Sequence, residues 1–316
     1  MNKKLLCLAA AAGAVGIAAV AFHSYLDVMY KETIPKGPFK RLQEKLDNGD
    51  MLPLAEFTNK SNEWNDKQPF ERIEMVNSRG EKLRGYLLET PQESKRFAVF
   101  AHGYRANHRG DPANFVKYYY EKGFNFFCCD HVASGDSEGD FVGFDYFESR
   151  DMLSWLDYLI ARFGKDIEIV LHGISMGGAT VCKMADRIPP QVKLIVADCP
   201  YTAAKDEFLS VAAGAGFKKT GPYVYQAMNA INKRVAGYDL EDTDVRENVK
   251  NARAPMLFVH GGSDDFVPTR MGEELYALCG SEKDLLIVPK AKHADSIVWG
   301  TEAYLDKLDE MLAKYF

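Results

Sequence analysis

The sequence lacks the cysteine patterns that build a disulfide-stapled or zinc-bound fold. Its six cysteines include no CxxC pair and no Cys/His set at zinc-finger spacing. Cys128 and Cys129 are adjacent at the end of an apolar run that is typical of a buried strand. Neighbouring strand residues point to opposite faces, so these two thiols are badly placed to bridge each other. We therefore interpret the cysteines as small buried side chains in a chain that needs no covalent staples.

The sequence also has little excess charge and no internal repeat. Its 39 basic and 45 acidic residues give a formal net charge of -6, which lacks the basic surplus of nucleic-acid binders. We therefore predict no nucleic-acid partner. Hydrophobic residues make up 47% and charged residues 27%, a balance that excludes disorder over most of the chain.

One long stretch carries no charge at all, and it lies at the N-terminus. Leu5–Phe22 follows two lysines and is long enough to span a bilayer. We favour an uncleaved membrane anchor within residues 1–30, because the stretch exceeds a typical signal-peptide core. A cleaved signal peptide is the alternative, since Ala19-Val20-Ala21 matches the small-x-small cleavage pattern. Basic residues flank both sides, so the orientation in the membrane stays open.

The next segment, residues 31–69, is mixed and charged, and we interpret it as a linker with one short helix near Phe39–Leu46. The main domain then covers residues 70–316. It begins with a predicted hairpin, in which Glu71–Val76 and Leu83–Leu88 alternate on either side of a glycine-containing turn.

After Pro91, short apolar runs alternate with helical patterns. The runs are almost wholly apolar, as expected of parallel strands that are buried on both faces. This alternation predicts a doubly wound, mainly parallel α/β sheet, whose ligands bind at the carboxyl ends of the strands. The predicted strands are Phe97–Ala101, Phe124–Cys129, Ile167–Leu171, Leu194–Ala197, Met256–His260 and Leu285–Val288. The predicted helices are Asn114–Lys122, Asp151–Arg162, Met176–Arg187, Thr269–Cys279 and Thr301–Tyr315.

One segment interrupts the alternation. Residues 203–251 have helical composition, no clear strand, and more length than a plain crossover requires. We interpret them as a small inserted cap of helices. Five large side chains there fit either the core of the cap or the wall of an acyl channel, and the core is favoured. They are Phe208, Phe217, Tyr223, Tyr225 and Met228.

The motif G-x-S-x-G occurs twice, around Ser137 and around Ser175. The motif indicates a nucleophile where a strand leads directly into it and a helix leads directly out, because the serine then lies on a tight, strained turn. Ile167–Leu171 and Met176–Arg187 provide that context for Ser175. The segment around Ser137 is a polar loop without a following helix. We therefore predict Ser175 as a nucleophile and Ser137 as a loop residue.

A serine hydroxyl needs a base to take its proton, and histidine is the usual one. In chains with this strand–turn–helix element, the order is serine, then acid, then histidine. His260 and His293 are the histidines that follow Ser175, and His293 comes after the last predicted strand. His260 precedes both acid candidates, so we predict His293 as the base.

The acid that orients the base should follow a strand between Ser175 and His293. Asp264 and Asp265 both do so, and their positions alone leave the choice open. The reaction also needs backbone N–H groups aimed at the developing oxyanion. We predict that these are the N–H groups of Met176, directly after the nucleophile, and of Tyr104, in the loop after Phe97–Ala101.

Together these motifs resemble the α/β-hydrolase superfamily. The resemblance rests on His102-Gly103, the loop from Asp130 to Gly139, the Ser175 turn, His260-Gly-x-x-Asp264-x-x-Val-Pro268 and His293. It implies that Asp264, rather than Asp265, is the acid, and that the Asp130 loop is a structural turn beside the site. The hydrophobic N-terminus makes the chain look like a membrane-anchored, esterase-like or serine-aminopeptidase-like bacterial branch.

The sequence therefore predicts a carboxylic ester hydrolase with Ser175, His293 and Asp264 as its triad, acting on a small-molecule acyl substrate. No cofactor and no metal is implied. Two alternatives stay open: a binding protein that has lost its chemistry on the same fold, and a metal hydrolase using strand-end histidines. No HExxH motif supports the second. The exact substrate and the oligomeric state are not predicted.

Overall fold

The structure, a computed structural model, describes residues 52–316 and is built around one eight-stranded sheet. The strands are β1 Glu71–Val76, β2 Lys82–Leu88, β3 Arg96–Ala101, β4 Asn125–Asp130, β5 Glu168–Ile174, β6 Val192–Asp198, β7 Met256–Gly261 and β8 Lys283–Val288. Their spatial order is β1-β2-β4-β3-β5-β6-β7-β8. β1 and β2 form an antiparallel hairpin, β2 pairs antiparallel with β4, and the other neighbours are parallel.

The central strands are almost wholly apolar because both faces of the sheet are covered. Val99 of β3 lies opposite Leu171 of β5 and Phe127 of β4, and all three side chains are fully buried. Because β3 to β8 run parallel, their carboxyl ends meet at one edge of the sheet. The loops that follow β3, β5, β6, β7 and β8 therefore converge there.

Helices pack on both faces of the sheet. They are α1 Leu52–Asn65, α2 Ala113–Glu121, α3 Tyr146–Phe163, α4 Met176–Met184, α5 Ala204–Gly214, α6 Gly221–Val235, α7 Arg246–Lys250, α8 Thr269–Leu278, α9 Ser296–Trp299 and α10 Thr301–Tyr315. On one face, α2 and α10 contribute Phe115, Tyr119 and Tyr304 to the core. On the other face, α3 and α4 contribute Trp155 and Val181.

The predicted mainly parallel α/β sheet is confirmed, and most element bounds differ from the predicted ones by a few residues. The helix α3 begins at Tyr146 rather than Asp151 because its first turn is also buried. Phe147 and Glu148 lie in that turn, and the Glu148 carboxylate accepts a hydrogen bond from the Gly143 N–H at 2.7 Å. The apolar stripe that predicts the helix begins one turn later.

Between β6 and β7, residues 203–251 hold α5, α6, a 3₁₀ turn at Leu240–Thr243 and α7, and contain no strand. We call this segment the cap. Arg246 of α7 joins it to the main domain, since its guanidinium bonds Asp206 of α5 and Glu274 of α8, each at 2.6 Å.

The helix α1 lies within the predicted linker 31–69, in the part after Leu46 for which no helix is predicted. It docks against the start of α2, where the Asn65 side-chain amide donates to the Ala113 carbonyl at 3.0 Å. Beside it, Asp66 forms an ion pair with Arg109. The predicted N-terminal anchor and the helix near Phe39–Leu46 lie outside the described residues. Within residues 52–316, no helix has both the length and the apolar character needed to cross a membrane.

Candidate active site

Ser175 lies on a tight turn between β5 and α4, with φ 58° and ψ -119°. A non-glycine residue at such a φ is strained, and glycines on both sides make the turn possible. A Cβ on Gly173 would lie 2.1 Å from the Gly177 carbonyl oxygen, and a Cβ on Gly177 would lie 2.0 Å from the Ala101 carbonyl oxygen. The sequence G-x-S-x-G therefore fixes Ser175 directly above the sheet, at the start of α4.

The structure brings Ser175, His293 and Asp264 together at the carboxyl edge of the sheet. The Ser175 Oγ lies 2.8 Å from His293 Nε2, and His293 Nδ1 lies 2.8 Å from Asp264 Oδ2. These residues come from the loops that follow β5, β8 and β7. Both distances allow a hydrogen bond, so a proton can pass from the hydroxyl to an imidazole that the carboxylate holds.

The Asp264 carboxylate is fixed by its own loop. Its Oδ1 accepts hydrogen bonds from the N–H groups of Phe266 at 3.0 Å and Val267 at 2.9 Å, while Oδ2 faces His293. Burial alone would raise the pKa of Asp264, but the neighbouring His293 and the bonds to His260 and His293 bring it below the usual range. Asp264 is therefore ionised, while Asp265 lies on the exposed side of the loop.

The pKa of His293 is raised well above its ordinary value of 6.5. Burial acts to lower it, whereas the Cys199 sulfur and the Asp264 carboxylate act to raise it. Burial also raises the pKa of Cys199 to about 12, so that side chain is a neutral thiol near neutral pH. The charge that favours the imidazolium of His293 at that pH is therefore the charge of Asp264.

The loop after β3 lies beside the nucleophile. A Cβ built on Gly103 would lie 3.4 Å from the Ser175 Cβ, and the Gly103 N–H donates to the Asp111 carboxylate at 2.7 Å. This contact brings the backbone that leads into Tyr104 next to Ser175, and Met176 begins α4 on the other side. The oxyanion role of Tyr104 and Met176 stays a prediction.

The second G-x-S-x-G serine has a structural position. The Ser137 Oγ donates to the Asp130 carbonyl at 2.6 Å and accepts from the Arg84 N–H at 2.9 Å. The Asp130 carboxylate in turn accepts from the N–H groups of His108 and Asp136, each at 2.8 Å. These bonds tie the loop to β2 and β4, and the Ser137 side chain is buried.

The strand-end histidines are buried within the fold rather than grouped as metal ligands. His102 Nε2 accepts from the His131 backbone N–H at 2.9 Å, and His260 Nε2 lies 2.9 Å from the Val267 carbonyl. His172 bridges the hydroxyls of Tyr119 and Tyr304, each at 3.0 Å, and burial lowers its pKa to about 3. It is therefore neutral and links α2, β5 and α10.

The described residues contain one set of three side chains at metal-binding distance, and it overlaps the triad. One ligand atom each from Cys199, Asp264 and His293 lie within 4.8 Å of one another. Both His293 nitrogens already have partners, Asp264 and Ser175. A metal bound to this set would therefore compete with proton transfer instead of assisting it.

Two residues beside the site have no role in the sequence prediction. Cys199 follows β6 with a positive φ of 41°, and this conformation carries its thiol to His293. Glu207, in the first turn of α5, has both carboxyl oxygens buried with no hydrogen-bond partner among the described residues. Burial raises the pKa of Glu207 to about 8. Cys199 has a sequence signal, because it follows the predicted strand Leu194–Ala197 and strand ends meet at this edge of the sheet. No sequence motif marks Glu207.

The sequence is similar to one family model and to several known proteins. A family model described as serine aminopeptidase, S33, matches residues 92–236. The chain is 25% identical over 237 residues to the uncharacterised protein YqkD of Bacillus subtilis, covering 74% of this chain and 76% of that protein. It is 24% identical over 251 residues to protein bem46 of Schizosaccharomyces pombe, covering 78% and 77% respectively.

Solved structures show the same architecture. The Pyrococcus furiosus esterase Pf2001 superposes with a TM-score of 0.64 at 17% identity, covering 80% of this chain and 95% of that chain. Acetyl xylan esterase 1 from Thermoanaerobacterium gives a TM-score of 0.59 at 16% identity, covering 84% and 94%. The chain has the α/β-hydrolase fold, and the comparisons support a serine hydrolase of that type.

Proposed function

We propose that the protein is a serine hydrolase that cleaves an acyl ester through a Ser175–His293–Asp264 triad and an acyl-enzyme intermediate. The observation that carries the proposal is the continuous set of contacts from hydroxyl to imidazole to carboxylate, each 2.8 Å long. The strained turn at Ser175 also favours this role, because strain of this kind is retained where the surrounding structure enforces it, often at functional sites.

In the first half of the reaction, the Ser175 Oγ attacks the acyl carbonyl carbon while its proton passes to His293 Nε2. The buried Asp264 carboxylate stabilises the imidazolium that results. Negative charge develops on the carbonyl oxygen, and the N–H groups of Met176 and Tyr104 are the proposed donors to it. The N-terminal end of α4 adds a favourable electrostatic field there.

The first tetrahedral intermediate then collapses to the acyl-enzyme, and His293 gives its proton to the departing alcohol oxygen. Water then enters, His293 takes its proton, and the resulting hydroxide attacks the acyl-enzyme carbonyl. Collapse of the second intermediate returns the proton to Ser175 and releases the carboxylic acid. Neither half needs an electron carrier or a group donor other than water.

An ester is the proposed substrate because its leaving group departs more easily than that of an amide. Thioesters and peptides use the same steps, so the measurement has to compare them directly. A panel of acyl esters of graded chain length, matching thioesters and aminoacyl amides, assayed by kcat/KM, ranks the classes. An amide preferred over every ester would overturn the ester assignment while leaving the triad intact.

The experiment that tests the triad compares Ser175→Ala with Ser137→Ala. Both variants remove a serine hydroxyl from a G-x-S-x-G motif. The Ser175 Oγ contacts His293, whereas the Ser137 Oγ donates to the Asp130 carbonyl. We expect a fluorophosphonate probe to label the native chain and Ser137→Ala, and to leave Ser175→Ala unlabelled and inactive. Esterase activity that persists in Ser175→Ala at the native level would refute the proposal. A native chain that neither reacts with the probe nor cleaves any substrate would favour a binding protein instead.

We further propose that Leu5–Phe22 anchors the protein to a membrane, an inference that rests on the sequence alone. Carbonate extraction of membranes from expressing cells tests it, because an integral anchor stays in the pellet. Protease protection in intact cells then shows which side the hydrolase domain faces. A mature chain that begins after Ala21 would show that the segment is a cleaved signal peptide.

A further inference from the structure

The cap has an exposed end that the catalytic proposal does not use. Residues 211–223, which we call the cap tip, join α5 to α6, and nearly all of them are exposed. Three are large apolar or aromatic residues: Val211 is 43% exposed, Phe217 55% and Tyr223 70%. Phe217 and Tyr223 therefore belong neither to the cap core nor to the wall of an enclosed channel, unlike the buried Tyr225 and Met228.

Backbone contacts hold the cap tip in one conformation. The Phe217 N–H donates to the Ala212 carbonyl, and the Gly221 N–H donates to the Phe217 carbonyl, each at 2.7 Å. The helices α5 and α6 also approach closely at this end, since a Cβ on Gly221 would lie 3.0 Å from the Ala212 Cβ. The Phe217 ring is thus presented to solvent by an ordered turn.

The charge of this part of the cap is opposite to that of the whole chain. Residues 208–238 contain no Asp or Glu but include Lys218, Lys219, Lys233 and Arg234, whereas the chain carries a net charge of -6. Lys233 pairs with Asp239 at the far end of α6. Lys218 and Lys219 form no ion pair with any carboxylate in residues 52–316. Two unpaired cations therefore lie directly beside the exposed Phe217.

From these observations we infer that the cap tip docks on an anionic lipid surface. Aromatic rings are stable at the depth of the lipid headgroups, and neighbouring lysines are attracted to anionic lipids. The rest of this acidic protein would be repelled by the same surface, so the charge distribution turns the cap tip toward it. A second copy of the chain is a poor occupant, because facing tips would bring like charges together.

Fluorescence from a tryptophan placed in the cap tip tests the inference, and it does so without relying on catalysis. The full chain with Phe217→Trp is mixed with phosphatidylcholine vesicles that contain or lack phosphatidylserine, and with brominated versions of both. The unaltered chain supplies the background emission of its three native tryptophans. We expect the added emission to shift to the blue and to be quenched by the brominated phosphatidylserine vesicles.

The charge contribution is tested in the same reporter chain with Lys218→Glu and Lys219→Glu. We expect apparent affinity for the anionic vesicles to fall by about thirtyfold or more, given the attraction of each lysine to such a surface. Lys165→Glu and Lys193→Glu make the same charge change near the amino ends of β5 and β6, and should leave the response unchanged. Circular dichroism melts check that every variant folds.

Three results would overturn the inference. The added tryptophan could stay unquenched while the chain still floats with vesicles, which would assign binding to the N-terminal segment. The tryptophan emission could change equally with both lipid compositions and be unaffected by Lys218→Glu and Lys219→Glu. Lastly, polyglutamate could shift the emission where vesicles do not, which would assign the surface to an acidic protein partner.

Discussion

Replacing Asp264 by asparagine tests the proposed triad, because it exchanges one carboxylate oxygen for an NH₂ group. Asp264 Oδ1 accepts two backbone N–H bonds, from Phe266 and Val267. In Asp264→Asn the amide oxygen must take that position, because an NH₂ group there would face two donors. The NH₂ group then donates a hydrogen bond to His293 Nδ1. Because Nδ1 must be unprotonated to accept that bond, the ring proton moves to Nε2. His293 can no longer take the proton of Ser175.

The expected loss is about 10⁴-fold in kcat/KM, the scale found when a triad acid is changed to its amide in serine proteases. At about 1.36 kcal/mol per tenfold, this amounts to roughly 5 kcal/mol of transition-state stabilisation. The loss should be large because the Asp264 side chain has no exposed surface. The assay is steady-state hydrolysis of a short-chain nitrophenyl ester, with fluorophosphonate labelling as a second readout.

Asp265→Asn is the matched control, since it makes the same chemical change one residue along the chain at an exposed position. It should keep activity within about twofold of the native chain, as expected of a surface change away from the reacting groups. The reasoning fails if Asp264→Asn, folded by circular dichroism, retains more than a tenth of native kcat/KM. It also fails if both variants lose activity equally.

Three other measurements test parts of the site. The kcat/KM of the native chain should rise with pH through a pKa above 6.5, because neutral His293 is the base and its pKa is raised. A rise that follows a pKa below 6 would contradict this. Gly177→Ala should lower the free energy of unfolding in urea by more than about 3 kcal/mol through backbone overlap, whereas Gly214→Ala, with open space at its Cβ, should not. Glu207→Gln should stabilise the fold increasingly from pH 5 to pH 8, because the unfolded carboxyl ionises near 4.5 while the folded one stays protonated up to about 8. An equal gain in urea denaturation at both pH values would contradict that pKa.

The sheet was predictable because each parallel strand contains a short run that is almost wholly apolar. The last helix, Thr301–Tyr315, has the bounds that its pattern predicts. The helix α1 was missed because its own sequence is largely polar and weakly amphipathic. Its apolar residues Phe57 and Trp64 acquire neighbours through packing against the core on the α2 side of the sheet. That contact is a property of the tertiary structure and leaves little trace in local sequence.

The candidate site was predictable where a residue type is tied to a turn or to the end of a strand. Ser175 and Asp264 are of this kind, and the structure places both within reach of His293. Cys199 and Glu207 were assigned no role because a segment without a motif brings them to the site. The positive φ of Cys199 turns that segment toward His293, and composition does not encode such an angle.

The glycines around Ser175 determine where the sequence can change without loss of the fold. At positions 173, 177 and 178 an added Cβ would lie within 2.6 Å of backbone atoms, so almost any replacement there costs the fold. The cap imposes no such restriction at residues 211–220, where most side chains meet solvent. A mutagenesis library should therefore spare these three glycines, whereas altered sequences at residues 211–220 are expected to fold and so can be screened.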